Sequence, residues 1–190
     1  MEDAVQSLLR QGAQARREDR LADAKRAYEE AIESARRSSD LQSLAAGLTG
    51  LGQIERDYGE IDASLQHYGQ AVAILRTLDN PLTLAHAIRH VGDILRESNQ
   101  LALAAPCYEE ALAIYRNHPK TNTLDLANTL RGFALLQAAL GQKEEAIALW
   151  QEAGRLYNQV WQEPGSPFQQ SDLAPGVAES QRQIALLSAS

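Results

Sequence analysis

Three arginines, Arg16, Arg56 and Arg96, recur at a spacing of 40 residues, each four residues after a glycine that recurs with it: Gly12, Gly52 and Gly92. On a helix that offset places every guanidinium at the edge of the face that carries the glycine. A ladder of planar, permanently charged forks suits carboxylates, which it can grip with paired hydrogen bonds. Asp57, Asp93 and Glu97 fall on the same surface. They offer the competing arrangement, internal ion pairs that contribute little when solvated. Two further groups could do chemistry. His86 and His90 stand one helical turn apart, the spacing of a two-His metal grip. The tract His-Ala-Ile-Arg-His lacks the glutamate of a zinc-protease motif and a third ligand, so ordinary histidines are expected. Cys107, beside Tyr108 in an alanine-rich stretch with no activating base, reads as a small buried hydrophobe. Glycine loops for phosphate, Ser/His/Asp sets and carboxylate pairs find no supporting context, so the expectation is no enzyme, no metal and no cofactor.

The elements that must position these groups declare themselves by repetition. Tyr-Glu-Glu-Ala stands at Tyr28–Ala31 and again at Tyr108–Ala111, with Tyr68 and Ala71 midway and Trp150 and Ala153 beyond. Such a period signals stacked supersecondary units. Each unit reads as two amphipathic helices. The second carries Tyr28, Ala31, Ile32, Ala35; Tyr68, Ala71, Val72, Leu75; Tyr108, Ala111, Leu112, Tyr115; and Trp150, Ala153, Gly154, Tyr157 on one face. The aromatics therefore read as core and not as a base-stacking platform. The first carries Leu44, Leu48, Leu51; Leu84, Ile88, Val91; and Leu126, Leu130, Phe133, thinning to Ala4, Leu8 and Gln11 in the terminal unit.

A mid-helix glycine costs about 1 kcal/mol relative to alanine, so three in register ask for a compensating close approach. Ala24, Ser64, Ala104 and Ala146 are the expected small partners, with Ala134 replacing glycine in the fourth unit. Asp19, Gly59, Asn99 and Gly141 suit left-handed turns within each pair, while Asp40, Asn80 before Pro81, and Asn122 suit helix N-caps. Pro106 is expected to fray or kink the start of its helix. A polar Pro/Gly loop follows at 163–173, then a last helix at about 174–188 with Val177, Ile184 and Leu187 on one side.

The 190 residues suffice for one domain with a substantial core. The net charge of −7 argues against binding a phosphate backbone with the surface as a whole. One cysteine excludes an intrachain disulfide, the N-terminus lacks a signal-peptide pattern, and no apolar run is long enough to span a bilayer. A soluble, cytoplasmic protein is expected, binding neither nucleic acid nor membrane.

The run Leu48, Leu51-Gly52, Gly59, Ser64, Tyr68, Ala71 and its copy Ile88, Val91-Gly92, Asn99, Ala104, Tyr108, Ala111 resemble the tetratricopeptide repeat (TPR). The spacing of 40–42 residues is similar to the long-helix repeats of kinesin light chains and Leu-Gly-Asn-type spindle adaptors. The resemblance implies an all-α, right-handed α-solenoid of four helix hairpins plus a C-terminal capping helix. As one domain it would comprise repeats at about 4–38, 41–78, 81–118 and 122–161. It also implies a groove lined by the first helices, into which Arg16, Thr49, Gln53, Arg56, His86, Arg89, Asp93, Arg96, Asn128 and Arg131 would look. Six arginines (16, 17, 56, 89, 96, 131) against three acids (57, 93, 97) favour an acidic peptide or protein segment as partner. The family's chaperone-tail clamp does not carry over, because its positions hold Leu9, Ala13, Gly50, His86 and His90. An adaptor is the first expectation; a ligand- or peptide-sensing regulator and a self-associating structural subunit are the alternatives, and oligomeric state is left open.

Overall fold

The computed structural model describes residues 2–162 and 175–189. The described residues form helices α1 Glu2–Arg17, α2 Leu21–Ser38, α3 Leu41–Asp57, α4 Ile61–Leu75, α5 Pro81–Glu97, α6 Leu101–Asn117, α7 Thr123–Ala139, α8 Lys143–Gln162 and α9 Pro175–Ala189. The expected loop at 163–173 lies outside them. They divide into two compact units, Met1–Ile94 and Leu95–Ser190. Within the first, α1 packs on α2 and α3, and α3 on both α2 and α4. Within the second, α7 packs on α6 and α8, and α9 on α8.

The same turn chemistry closes each hairpin. Asp19, Gly59, Asn99 and Gly141 all take positive φ, at 57°, 79°, 61° and 77°. The residue after each donates its N–H five residues back: Arg20 to Ala15, Glu60 to Glu55, Gln100 to Leu95 and Gln142 to Gln137, at 2.7–2.9 Å. These bonds satisfy carbonyls that a helix end would otherwise orphan. Between hairpins, Asp40 accepts from the Ser43 N–H at 3.0 Å, Asn80 from Thr83 at 3.3 Å and Asn122 from Leu124 at 2.8 Å. Ser39, at φ 57°, is a further left-handed position that its residue type did not announce.

Several expectations need correction. The glycines make room for tyrosine rings more than for small residues. A Cβ at Gly12 would stand 2.9 Å from the Tyr28 ring, and one at Gly52 would stand 2.8 Å from Tyr68. Ser64 does meet Gly52, donating its hydroxyl to the Gly52 carbonyl at 2.6 Å. The buried face of α1 is Val5, Gly12 and Ala15, with Leu8 packed half-buried at its side; Ala4 and Gln11 are exposed, because that face follows the glycine's register. Finally, α6 runs unbroken through Pro106, which leaves α6 starting at Leu101 as its neighbours' pattern requires.

In the first unit the core gathers Tyr28, Ile32, Leu48, Leu51 and Ile54, continuing through Tyr68, Leu75, Ala87 and Ile94. In the second, Tyr108, Leu130, Leu136 and Trp150 are fully enclosed, and Tyr108 stacks on Phe133 with ring centroids 5.8 Å apart. Glu29, Glu30, Glu109, Glu144 and Glu145 are exposed, as their position opposite the apolar face requires. Cys107 is half-buried, not buried, and its thiol donates to the Leu103 carbonyl at 3.5 Å.

Candidate partner-binding surface

The glycine register that fixes the hairpins also fixes where the first helices' polar edges fall. In the first unit α1, α3 and α5 contribute Arg16, then Thr49, Gln53 and Arg56, then His86, Arg89 and Asp93. Arg16 grips Asp57 with two bonds, Nε to Oδ2 at 2.7 Å and Nη2 to Oδ1 at 3.2 Å. Both side chains remain about a third exposed, so this pair is partly screened. Thr49 turns its hydroxyl back to the Ala45 carbonyl at 2.9 Å, and Gln53 is half-buried.

A denser network forms on α5. Arg89 donates to Asp93 Oδ2 at 2.9 Å, and the side chains are only 10% and 11% exposed. Arg56 of α3 approaches the same oxygen at 4.0 Å. One carboxylate therefore draws two guanidinium groups together. Arg89 Nη2 stands 2.8 Å from His90 Nε2. A guanidinium only donates, so Nε2 is the accepting nitrogen and the ring proton sits on Nδ1, 3.8 Å from Asp93. His86 Nε2 approaches His90 Nε2 at 3.2 Å. This arrangement occupies the nitrogen that a two-His metal grip would use. Burial, reinforced by the positive charge of Arg89, holds the His90 imidazole well below its ordinary range. Tyr68 stacks beside it with centroids 5.5 Å apart, and burial pushes its phenol up. Its hydroxyl has no hydrogen-bond partner among the described residues.

In the second unit each site has its own partner. Arg96 Nε stands 3.3 Å from the Tyr108 hydroxyl and Nη2 is 3.0 Å from Glu97. Asn128 accepts from the Tyr157 hydroxyl at 2.7 Å. Arg131 grips Glu179 of α9 with two bonds at 2.7 and 2.9 Å. The tally of three acids thus omitted Glu179, whose sequence distance from Arg131 hides the contact. His90 and Tyr68 were likewise missed as members of the polar cluster. Their spacing reported only that one lies beside Arg89 and the other on a core face.

With the hairpins and these polar edges in place, relatives can be compared. Residues 2–164 match the family described as MalT-like TPR region. The chain belongs to that TPR family. It is similar in fold to the crystal structure of BtubC (BKLC) from P. vanneervenii, with a TM-score of 0.72 at 16% identity. That match covers 99% of this chain and 87% of the other. It is also similar to a putative kinesin light chain of Podosopora anserina with nearly identical TPR-like repeats, at TM-score 0.71 and 16% identity. There the cover is 97% of this chain and 85% of that one. No curated protein matches the sequence. The TPR fold class is thereby an all-α solenoid of helix hairpins, and that fold generally mediates protein interactions. No described helix of the TPR chain is long and apolar enough to cross a membrane.

Proposed function

We propose that the chain is a non-enzymatic adaptor whose first-helix face receives an acidic segment of a protein partner in the cytoplasm. The observation that carries this reading is the convergence of Arg56 and Arg89 on Asp93 Oδ2. Two forks held side by side, one buried and one half-exposed, are pre-organised to share a second carboxylate. Thr49, Gln53 and His86 flank the pair on the same face and supply polar contacts. Arg16 carries the same chemistry within the first unit, and Arg96, Asn128 and Arg131 carry it on the second unit by itself. The net charge of −7 supports a protein partner over nucleic acid, because attraction to a carboxylate must then be local.

Fluorescence anisotropy with defined peptides tests it, comparing Asp/Glu-rich sequences with their Asn/Gln counterparts. The acidic set should bind more tightly and weaken as salt rises. Arg56→Glu should reduce that affinity about tenfold or more, the size expected when a charge-assisted contact becomes repulsive. Equal binding of both peptide sets, or unchanged affinity in Arg56→Glu, overturns the reading.

A further inference from the structure

Two sets of contacts fix which face of α9 continues the first-helix surface. The first is its packing on α8. A Cβ on Gly47 of α3 would stand 2.8 Å from Ile32, four residues after Tyr28. In the second unit a Cβ on Gly154, four residues after Trp150, would stand 3.1 Å from Ser180 of α9. Ser180 thus takes the place of Gly47, so Glu179, Arg182 and Leu186 match Ala46, Thr49 and Gln53 of α3. The second is the ion pair between Arg131 of α7 and Glu179. It bridges successive first helices, as Arg16 of α1 does with Asp57 of α3. Positions 182 and 186 follow 179 at helical spacings that keep one face, so Arg182 and Leu186 stand on the bridged surface. This face stays open on a helix flanked on both sides. On α3, packed between α2 and α4, Ala46 is exposed and Thr49 and Gln53 are half-buried.

The chemistry of that face on α9 is unbalanced. Glu179 spends both carboxylate oxygens on Arg131. Arg182 is exposed and has no hydrogen bond or ion pair among the described residues. Leu186, one turn on, is 60% exposed. The same step from arginine to leucine over four residues occurs on α7 as Arg131 and the half-buried Leu135. On α5 the step ends instead on an acid, and Arg89 is paired with Asp93. So α9 presents a guanidinium without an acid beside an aliphatic side chain without cover. An exposed guanidinium gains little from a carboxylate alone. An aliphatic group laid beside the pair removes apolar surface from water and supplies the larger share.

We infer that the second unit docks an acidic segment carrying an aliphatic residue beside its carboxylate, the carboxylate on Arg182 and the aliphatic group on Leu186. This deepens, and rests on, the reading of the first-helix face as a receiver of carboxylates. Arg182 and Leu186 are separated by about 6 Å of helix rise. Side chains two residues apart on an extended segment lie on one side, about 7 Å from each other. The matching motif is therefore an acid and an aliphatic residue with one residue between them.

Fluorescence anisotropy on the whole chain tests it with Asp/Glu-rich peptides carrying Glu-Ala-Leu, Leu-Ala-Glu, or the same with Ser for Leu. The tighter of the two Leu peptides should bind about fivefold better than its Ser counterpart, and Leu186→Ala should erase that difference. Arg182→Glu should weaken the same peptide about tenfold, and Arg182→Gln by less. Both side chains are exposed, so far-UV circular dichroism should find all three variants folded. Equal binding of Leu and Ser peptides, a preference that survives Leu186→Ala, or indifference to Arg182→Glu overturns the inference. If the acidic peptides then still bind and still weaken in Arg56→Glu, the broader reading of the face stands without it. No binding by any acidic peptide overturns both.

Discussion

The arginines of the first unit and those of the second occupy matching positions on first helices, yet they are partnered differently. On α5, Arg89 is buried against Asp93, and Arg56 leans towards the same oxygen, with His90 held neutral beside them. In the second unit Arg131 holds both oxygens of the Glu179 carboxylate, and its side chain is 40% exposed. The difference teaches that a repeated residue is not a repeated interaction. A carboxylate approached by two guanidinium groups in a poorly solvated site is strongly coupled to both, whereas a two-bond pair at the surface is screened by solvent.

The contrast can be broken most forcefully at Asp93. Asp93→Ala should cost about 3–5 kcal/mol in urea unfolding, because Arg89 is left as an uncompensated charge in a buried site. A cost below about 1 kcal/mol would place the pair in the same class as the surface bridges. Acidification gives a smaller effect. His90 has its pKa depressed in the fold, so the unfolded chain binds its proton first as pH falls. The stabilisation is therefore complete above the ordinary value of 6.5 and is lost progressively below it, towards the folded value. Stability should fall by about 1 kcal/mol per pH unit in that window, and His90→Gln should flatten the slope. Arg89, Arg56, His86, Asp93 and Tyr68 surround the ring, and only Asp93 would favour the proton. The smallest change is expected at Glu179→Gln, about 1 kcal/mol or less and diminished by salt. A loss as large as that of Asp93→Ala would erase the distinction between the two units.

Much of the fold was legible because each local signal has a local cause. Asp19, Gly59, Asn99 and Gly141 announce left-handed turns through the steric tolerance of their own residue types. Asp40, Asn80 and Asn122 announce caps through side-chain oxygens placed to accept nearby N–H groups. Ser39 was silent, since serine has no such bias towards positive φ. The first-helix glycines signalled close approach but not its object. Which side chain fills the space depends on how the second helix is rotated, and Tyr68 won over the smaller Ser64. The ion pairs were legible where the repeat register placed both partners on one surface, as with Arg16 and Asp57 or with Arg89 and Asp93. Arg131 with Glu179, separated by 48 residues, was not.

The sequence alone determined that hairpins form, where they turn, and which faces they bury, because period, residue type and capping act over a few residues. Only the tertiary structure decided which arginines share an acid, that His90 sits neutral among them, and that α9 presents an uncovered side. Those outcomes depend on distances between helices far apart in the chain. A one-dimensional pattern does not contain those distances.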